Sequence, residues 1–146
     1  MINIEGKEAT AREAVARCCL RLNQQALQAL QAAALPKGDA LAAARLAGIL
    51  GAKRTFELIP LCHQIPLSHV AVDYEIRPDR GEVHIETVAR AQARTGVEME
   101  ALTAAALAAL TIYDMCKALD PAAEIVGLRL MQKSGGKSDV WRREED

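Results

Sequence analysis

The sequence of 146 residues predicts a single α+β domain, in which helices cover one face of an antiparallel sheet. Three observations predict it. Two segments that flank the turn at residues 78–81 alternate apolar and polar side chains, as the strands of a hairpin do. An Ala-rich segment between Thr95 and Pro121 has helical spacing, and a further alternating segment follows at 124–132. One domain over residues 1–146 is therefore expected.

The first half of the chain supplies one strand and two helices. In residues 10–22, apolar side chains occupy alternate positions, as in a strand, but the Ala content favours a helix. The local pattern alone does not decide between strand and helix. Asn23 is expected to cap a helix that reaches Leu35. Pro36-Lys37-Gly38 then breaks the chain, and Asp39 is expected to cap a second helix over residues 39–58.

The middle of the chain is expected to hold a fixed loop and the hairpin. Pro60 and Pro66 bracket the loop IPLCHQIPL and favour a non-helical path. Strands are predicted at 68–78 and 82–94, and Gly81 supplies the positive φ that the turn between them needs.

The Ala-rich segment is predicted to form the central helix. Thr95 and Glu98 have the spacing of a capping box, so the helix should begin near Gly96 or Val97, and Pro121 should stop it. Apolar residues at three- and four-residue spacing predict its buried stripe, which consists of Leu102, Ala106, Leu110 and Tyr113.

The order of elements then selects a topology. Strand, helices, strand, strand, helix, strand is the split β-α-β arrangement of ferredoxin-like folds, with an antiparallel sheet and helices packed on one face. That topology assigns residues 10–22 to a strand. The residues after the last strand, 139–146, are expected to form a flexible tail.

Composition excludes several classes of function. A net charge of −1 and a pI near 6.3 argue against binding to nucleic acids or anionic membranes. Aromatic residues are only 3%, too few for base stacking. Charges or prolines interrupt every apolar run before the ~18 residues of a membrane span, and the N-terminus has no apolar signal region. The four cysteines lack metal-like spacing and indicate reduced thiols, so a cytoplasmic protein is expected.

Charged residues in the central helix are candidates for chemistry. Asp114 and Lys117 share a helical face, where they form either a proton-transfer pair or an ordinary salt bridge at a helix end. Glu98 and Glu100 lie in the first turn, where acids also stabilise the helix dipole. Glu100 and Asp114 are fourteen residues apart, roughly 21 Å along the axis. Either the glutamates are structural, or a site is assembled from more than one chain.

Basic residues and one loop complete the candidates. Arg12, Lys37, Lys133 and Lys137 can hold phosphate, the last two around Ser134-Gly135-Gly136, although each can also be a solvated surface residue. Lys53 favours the C-terminal dipole of its helix whether or not it binds a ligand. In the loop, neighbouring Cys62 and His63 point opposite ways, which favours a packed thiol and a polar, site-facing imidazole; a core histidine is an equal alternative.

Four motifs carry a resemblance to a known family: Leu58 to His63, Thr95 to Ala104, Thr111 to Ala118 and Lys133 to Ser138. With their spacing, they resemble molybdenum-cofactor biosynthesis protein C, the cyclic pyranopterin monophosphate synthase family. The resemblance covers nearly the whole chain. It departs at Asn3, at 33–36, at Gln64-Ile65 and at Asp139, which leaves every catalytic position of the family filled.

The resemblance implies a lyase that converts cyclised dihydroguanosine triphosphate into cyclic pyranopterin monophosphate and diphosphate. It assigns catalysis to Asp114, Lys117 and Lys37, and substrate binding to Leu61, Cys62, His63, Met99 and Glu100. Glu98, Arg12, Lys53, Lys133 and Lys137 are added as candidate substrate-binding residues. The family is ferredoxin-like and forms homohexamers, trimers of dimers, with the pocket at a subunit boundary.

The chemistry so implied needs proton movement and charge stabilisation but no redox cofactor. A divalent cation such as Mg²⁺ is possible, but the sequence shows no carboxylate cage, so we predict no protein-ligated metal. Two alternatives remain at this point. One is a non-catalytic nucleotide sensor of the same fold. The other is an oligomerisation domain in which Asp114 and Lys117 form a buried ion pair.

Overall fold

The computed structural model describes residues 1–145 and contains five strands and four helices. The strands are β1 (Thr10–Arg21), β2 (His69–Arg77), β3 (Glu82–Ala93), β4 (Glu124–Ser134) and β5 (Trp141–Arg142). The helices are α1 (Gln24–Gln31), α2 (Ala40–Lys53), α3 (Thr55–Leu58) and α4 (Glu98–Cys116).

All strands pair antiparallel in the order β2-β3-β1-β4-β5, which confirms the predicted α+β fold. The first four strands have the order of a split β-α-β sheet. β1 is central, with Ala14 opposite Ala89 and Cys18 opposite Ile85 on β3. The helices pack on one face of the sheet. The other face holds the alternate, more polar side chains of the strands.

β1 is a strand, as the topology predicted, despite its Ala content. Ala14, Ala16, Cys18 and Leu20 are buried at alternate positions against the helices. Small side chains here let the helices approach the sheet closely, and pairing on both sides satisfies the main chain of the strand. Tertiary pairing therefore outweighs helix propensity in this segment.

The predicted buried stripe of α4, Leu102, Ala106, Leu110 and Tyr113, is wrong. Leu110 is 52% exposed, and the buried face consists instead of Ala101, Ala104, Ala105, Ala108, Ala109, Ile112, Met115 and Cys116. α4 packs on the sheet with α2 beside it, and Gly48 of α2 lies close to both Val72 of β2 and Ala104 of α4. Close approach favours Ala on both contacting faces: a Cβ on Gly48 of α2 would lie 3.0 Å from the Ala104 carbonyl oxygen. The larger side chains are therefore displaced to the edges of the contact.

Several helix ends also differ from the prediction. The Asn23 and Asp39 side chains accept from Ala26 and Ala42 N–H groups, which confirms both caps. α1 nevertheless stops at Gln31, because the chain reverses through Ala33 (φ 51°) to bury Leu35 before Pro36.

The second predicted helix is divided, and the central helix is shorter than expected. Arg54 leaves helical geometry (φ −113°, ψ 13°) and separates α2 from α3. No side-chain cap bond forms at the start of α4, so the Thr95 capping box is wrong, although Val97 does precede the helix as predicted. α4 ends at Cys116, before Pro121.

Part of the predicted flexible tail is paired with the sheet. Trp141–Arg142 form β5 beside β4, and the Arg143 main-chain N–H and Nε donate to the Met131 and Leu130 carbonyl oxygens, both at 2.8 Å. The tail therefore supplies partners to β4 at the edge of the sheet. Residue 146, the last of the predicted tail, lies outside the described residues.

α4 is long and mostly apolar, and by length and composition alone it could cross a membrane. Core helices of globular proteins share this property, and about half of α4 is buried against the rest of the domain. The packing of α4 on the sheet and α2 accounts for its apolar character.

Candidate active site

Lys37, Asp114 and Lys117 meet at the C-terminal end of α4 and form what we call the acid–lysine cluster. Lys37 Nζ lies 2.6 Å from Asp114 Oδ2, and Lys117 Nζ lies 2.8 Å from Asp114 Oδ1. Lys37 reaches this position from a tight turn, in which the Gly38 N–H donates to the Leu35 carbonyl oxygen. The sequence predicted the Asp114–Lys117 neighbours; the fold adds Lys37 from 77 residues away.

The two ammonium groups fix the protonation of the cluster. Hydrogen bonds from Lys117 and then Lys37 lower the pKa of Asp114 from 3.8 to about 2. The hydrogen bond to Asp114 also raises the pKa of Lys117. At neutral pH, the resting cluster therefore holds a carboxylate between two ammonium groups. In this state Lys117 carries its proton and contacts the Asp114 carboxylate.

The acid–lysine cluster is open to solvent. About half of each side chain is exposed: 55% of Lys37, 48% of Asp114 and 55% of Lys117. Within a single chain, therefore, the ion pair of Asp114 and Lys117 is not buried. An exposed pair contributes little to the stability of the chain itself.

A second group of candidates lies at the N-terminal end of α4, in what we call the cysteine-loop cleft. Leu61, Cys62 and His63 line it from the Pro-bracketed loop, and Glu98, Met99 and Glu100 line it from the first turn of α4. Its volume is about 220 Å³. The structure thus brings together six predicted substrate-binding residues that are separated by 34 positions or more between the two segments.

Glu100 is unusual in this cleft because it is an acidic residue that is almost completely buried. It is only 4% exposed, and burial raises its pKa, with Glu98 adding to the shift. Burial, followed by the nearby Glu100 carboxylate, also raises the pKa of Cys62, which makes a thiolate unfavourable there. A buried acid with a raised pKa inside a cleft is a common property of ligand-binding sites. The prediction of a packed Cys62 thiol agrees with its half-buried position.

The third group lines a glycine-rich cleft, which has a volume of about 470 Å³. Arg12, Lys133 and Lys137 line it, together with Gly96 and the Ser134-Gly135-Gly136 segment. Lys133 Nζ lies 3.1 Å from a Glu98 oxygen. Because Gly96 and Glu98 line both clefts, the glycine-rich cleft and the cysteine-loop cleft adjoin each other.

Gly135 and Gly136 shape the part of this cleft that lies beside Arg12. Gly135 and Gly136 have φ values of 103° and 81°, which L-residues rarely adopt. A Cβ on Gly136 would also meet the Arg12 guanidinium, and a Cβ on Gly135 would meet the Ala11 carbonyl oxygen. The Gly136 N–H donates to Thr10 Oγ1 at 3.2 Å. The glycine pair therefore lets the segment fold closely over β1 beside Arg12.

The sequence was also compared with known proteins. Residues 1–136 match the MoaC family. The chain belongs to the MoaC family. It is 52% identical over 145 residues to a protein from Chloroflexus aggregans, covering 99% of this chain and 88% of the relative. It is 54% identical over 138 residues to a protein from a Roseiflexus species, covering 94% of this chain and 87% of the relative. It is 49% identical over 146 residues to a protein from Geotalea uraniireducens, covering 100% of this chain and 91% of the relative. All three relatives are named cyclic pyranopterin monophosphate synthase.

Within one MoaC-family protomer, the candidate residues form two separate groups. Glu98 and Glu100 begin α4, whereas Asp114 lies near its end, so the two clefts and the acid–lysine cluster are about 21 Å apart along the helix. Lys37 is consequently distant from Lys133 and Lys137, with which the sequence grouped it for phosphate binding. Lys53, the last residue of α2, is exposed and lines neither cleft.

Sequence reasoning missed some residues of the clefts. Lys7 lines both of them, Thr10 lines the glycine-rich cleft, and Ile2 and Ile4 line the cysteine-loop cleft. Their local sequence carries no signal, since an exposed Lys in a short N-terminal segment is usually solvated. Only the antiparallel pairing of β1 with β3 brings this segment beside the first turn of α4.

Proposed function

We propose that this chain is a cyclic pyranopterin monophosphate synthase of molybdenum cofactor biosynthesis. Its substrate is cyclised dihydroguanosine triphosphate, and its products are cyclic pyranopterin monophosphate and diphosphate. It acts as a lyase, because closing the cyclic phosphate expels diphosphate. The relatives' names and the whole-length family match support this activity. We further propose that the enzyme works in the cytoplasm.

The convergence of Lys37 and Lys117 on Asp114 is the observation that carries the proposal. The rearrangement of the purine ring into a pterin requires repeated proton transfers, and such transfers need a donor and an acceptor in hydrogen-bond contact. Lys117 donates a proton to the substrate, and Asp114 orients the ammonium group. Lys37, the second ammonium group on the carboxylate, stabilises negative charge as the reaction proceeds.

The two adjoining clefts would bind the substrate. Arg12, Lys133 and Lys137 would contact the triphosphate, next to glycine backbone that permits close approach. The same cleft is also lined by the acidic residues Glu8, Glu13, Glu98 and Asp139. The cysteine-loop cleft offers the buried Glu100 carboxyl group and His63 to a heterocycle with several donors and acceptors. We assign the base to this cleft and the phosphates to the glycine-rich one. Lys53 remains a proposed contact from outside both clefts.

We propose that catalysis requires a homohexamer, a trimer of dimers, in which each site combines two chains. One small substrate cannot contact both ends of a 19-residue helix. The acid–lysine cluster of one protomer would complete the clefts of its neighbour. Exposed apolar residues of α2 and α4, including Leu46, Leu50 and Leu110, are available for such contacts.

We propose that the reaction requires no cofactor, since it involves proton transfer and phosphate displacement. The acid–lysine cluster contains one carboxylate and two ammonium groups, and ammonium groups cannot ligate a cation. Mg²⁺ bound to the triphosphate itself remains compatible with the basic cleft. Its effect can be measured by adding a chelator during turnover.

The test measures diphosphate and pterin formation from the cyclised substrate. Asp114→Asn and Glu100→Gln, each inactive alone, are then unfolded together and co-refolded. If the two residues meet across a subunit boundary, some mixed sites contain both native groups, and part of the activity returns. If both act within one protomer, every site carries a lesion. Native mass spectrometry confirms mixing; mixed oligomers without activity would refute shared sites, and an inactive native protein would refute the activity itself.

A further inference from the structure

A cluster of three potential metal ligands lies on the helix-free face of the sheet, away from the clefts and the acid–lysine cluster. Cys19 of β1 is the direct cross-strand neighbour of His84 of β3, and Glu82 lies two residues before His84 on the same face. Their ligand atoms all lie within 4.8 Å of one another. Among residues 1–145, this is the one group of three or more His, Cys, Asp or Glu side chains that converges so closely.

The geometry distinguishes a metal site from a nucleophile–base arrangement. His84 Nε2 is 2.8 Å from Glu82 Oε2 and 3.8 Å from Cys19 Sγ, so one ring nitrogen faces both partners. In a catalytic triad, the acid contacts one ring nitrogen while the nucleophile contacts the other. Here the thiol, imidazole and carboxylate instead converge on a common point, which is the arrangement of metal ligands.

We propose that Cys19, His84 and Glu82 bind one Zn²⁺ ion, with water as the fourth ligand. A thiolate, an imidazole and a carboxylate together suit zinc, whereas Mg²⁺ and Ca²⁺ prefer oxygen ligands alone. Three protein ligands leave one position of the tetrahedron for solvent. His84 and Glu82 are 34% and 15% exposed, so an ion can enter from the open face.

The distances suit a tetrahedral ion after a small adjustment. Zn–S bonds of about 2.3 Å and Zn–N or Zn–O bonds of about 2.0 Å place a sulfur and a nitrogen ligand about 3.5 Å apart, and a nitrogen and an oxygen ligand about 3.3 Å apart. The Sγ–Nε2 distance of 3.8 Å must shorten by about 0.3 Å, and the Oε2–Nε2 distance of 2.8 Å must open by about 0.5 Å. Small rotations of the Cys19 and Glu82 side chains are sufficient, because the two strands hold the backbone positions of all three residues.

Zinc binding would change the present contacts of all three residues. Zinc must release the thiol proton of Cys19. It must also replace the contact between His84 Nε2 and Glu82 Oε2, so His84 would bind zinc through Nε2 with its ring proton on Nδ1. Arg21 Nε lies 3.6 Å from Glu82 Oε1, the oxygen that does not face His84, so the ion pair and the zinc ligation use different oxygens.

The expected consequence is a link between the two central strands. Because Cys19 and His84 are directly opposite each other on neighbouring strands, a zinc ion bound to both would cross-link β1 and β3. Binding to the folded state alone stabilises it, and the melting temperature should rise with zinc concentration. The site is on the opposite face of the sheet from α4, so zinc is not expected to enter the acid–lysine cluster.

Purified, tag-free protein can be titrated with zinc by calorimetry and with Co²⁺ by absorption. We expect one Zn²⁺ per chain and a thiolate-to-cobalt charge-transfer band. Cys19→Ser should abolish this band, and His84→Gln and Glu82→Gln should each weaken zinc binding at least about tenfold, as expected from the 10- to 100-fold effects of residues further from a metal. Cys62→Ser is the matched control, since it removes another half-buried thiol next to a histidine.

Circular dichroism and melting temperature, both measured without added zinc and compared with the native protein, show whether a variant is folded. If Cys19→Ser does not fold, the His84→Gln and Glu82→Gln titrations decide the outcome. The proposal is overturned if native protein binds no zinc, if Cys19→Ser keeps the cobalt band, or if Cys62→Ser alone loses it. Equal zinc affinity in native protein and His84→Gln would likewise overturn it.

Discussion

Replacing Asp114 by Asn removes the charge that holds two ammonium groups, while it preserves the size of the side chain. Both Lys37 and Lys117 contact separate oxygens of this carboxylate, at 2.6 and 2.8 Å. The variant therefore leaves two positive charges without their counter-ion. Positioned proton transfer contributes about 10²- to 10⁴-fold to a rate, so we expect turnover to fall by that factor.

The pH dependence of stability gives an independent measure of the same contact. The pKa of Asp114 falls from 3.8 to about 2 in the folded protein. A lowered folded-state pKa stabilises the protein above the unfolded-state pKa, and this stabilisation is lost as the pH falls through the folded value. The native protein should thus melt higher than Asp114→Asn at neutral pH. The difference should close between pH 4 and about pH 2, and salt should reduce it because the group is half exposed.

The assays are diphosphate release from the cyclised substrate and thermal melting across a pH series. Asp79→Asn in the hairpin turn is the matched control, since it removes an aspartate charge that makes none of these contacts. We expect the control to keep native turnover. The assignment of Asp114 fails if Asp114→Asn turns over substrate at the native rate. It also fails if the melting difference persists unchanged at pH 2, because the lysines would then not interact with an ionised carboxylate.

Three further outcomes follow from the structure. Lys133→Met should weaken substrate binding and its salt dependence, whereas Arg80→Met in the exposed turn should not; equal salt slopes in fluorescence or calorimetric titrations would remove Lys133 from phosphate binding. Gly136→Ala should raise KM, since a Cβ there meets the Arg12 guanidinium; an unchanged KM would contradict the role of the glycine pair. Leu27→Ala, at a fully buried position, should cost about 2–5 kcal/mol in the free energy of unfolding by denaturant. Leu128→Ala, at a 46% exposed position, should change it by less than about 0.5 kcal/mol, and similar losses in both would refute the described core.

The hairpin position was predictable because β3 buries alternate residues after the Gly81 turn, and the strand order followed from the order of the elements along the chain. The alternation of β2 and β3 and the Gly81 turn depend on period-two burial, which a single sequence displays directly. The buried face of α4 was not predictable from the same principle. In an Ala-rich helix, the closest packing selects small residues, so the largest apolar residues do not mark the core. Leu110 illustrates this, since it is half exposed while Ala105 and Ala108 are fully buried.

The family resemblance grouped Lys37 with Asp114 and Lys117, but the residues alone did not predict that contact. Motifs identified Asp114, Lys117, Glu100 and Cys62 as individual residues. The approach of Lys37 to Asp114 depends on a turn after α1, and no local pattern indicates where such a turn comes to lie. The separation of Lys37 from Lys133 follows from the length of α4 in the folded chain, whereas charge alone had placed both on one triphosphate.

The packing of α4 explains why the candidate site residues lie at its two ends. Along its middle, the helix is enclosed by the sheet and α2, and Gly48 approaches the Ala104 carbonyl oxygen too closely for an added side chain. Such a segment has no room for a ligand. Space exists only beyond the packed region, where Glu98 and Glu100 border clefts at one end and Asp114 is solvent-exposed at the other. A rigid helix keeps the two ends about 21 Å apart, so bringing them onto one substrate requires the corresponding end of a second chain.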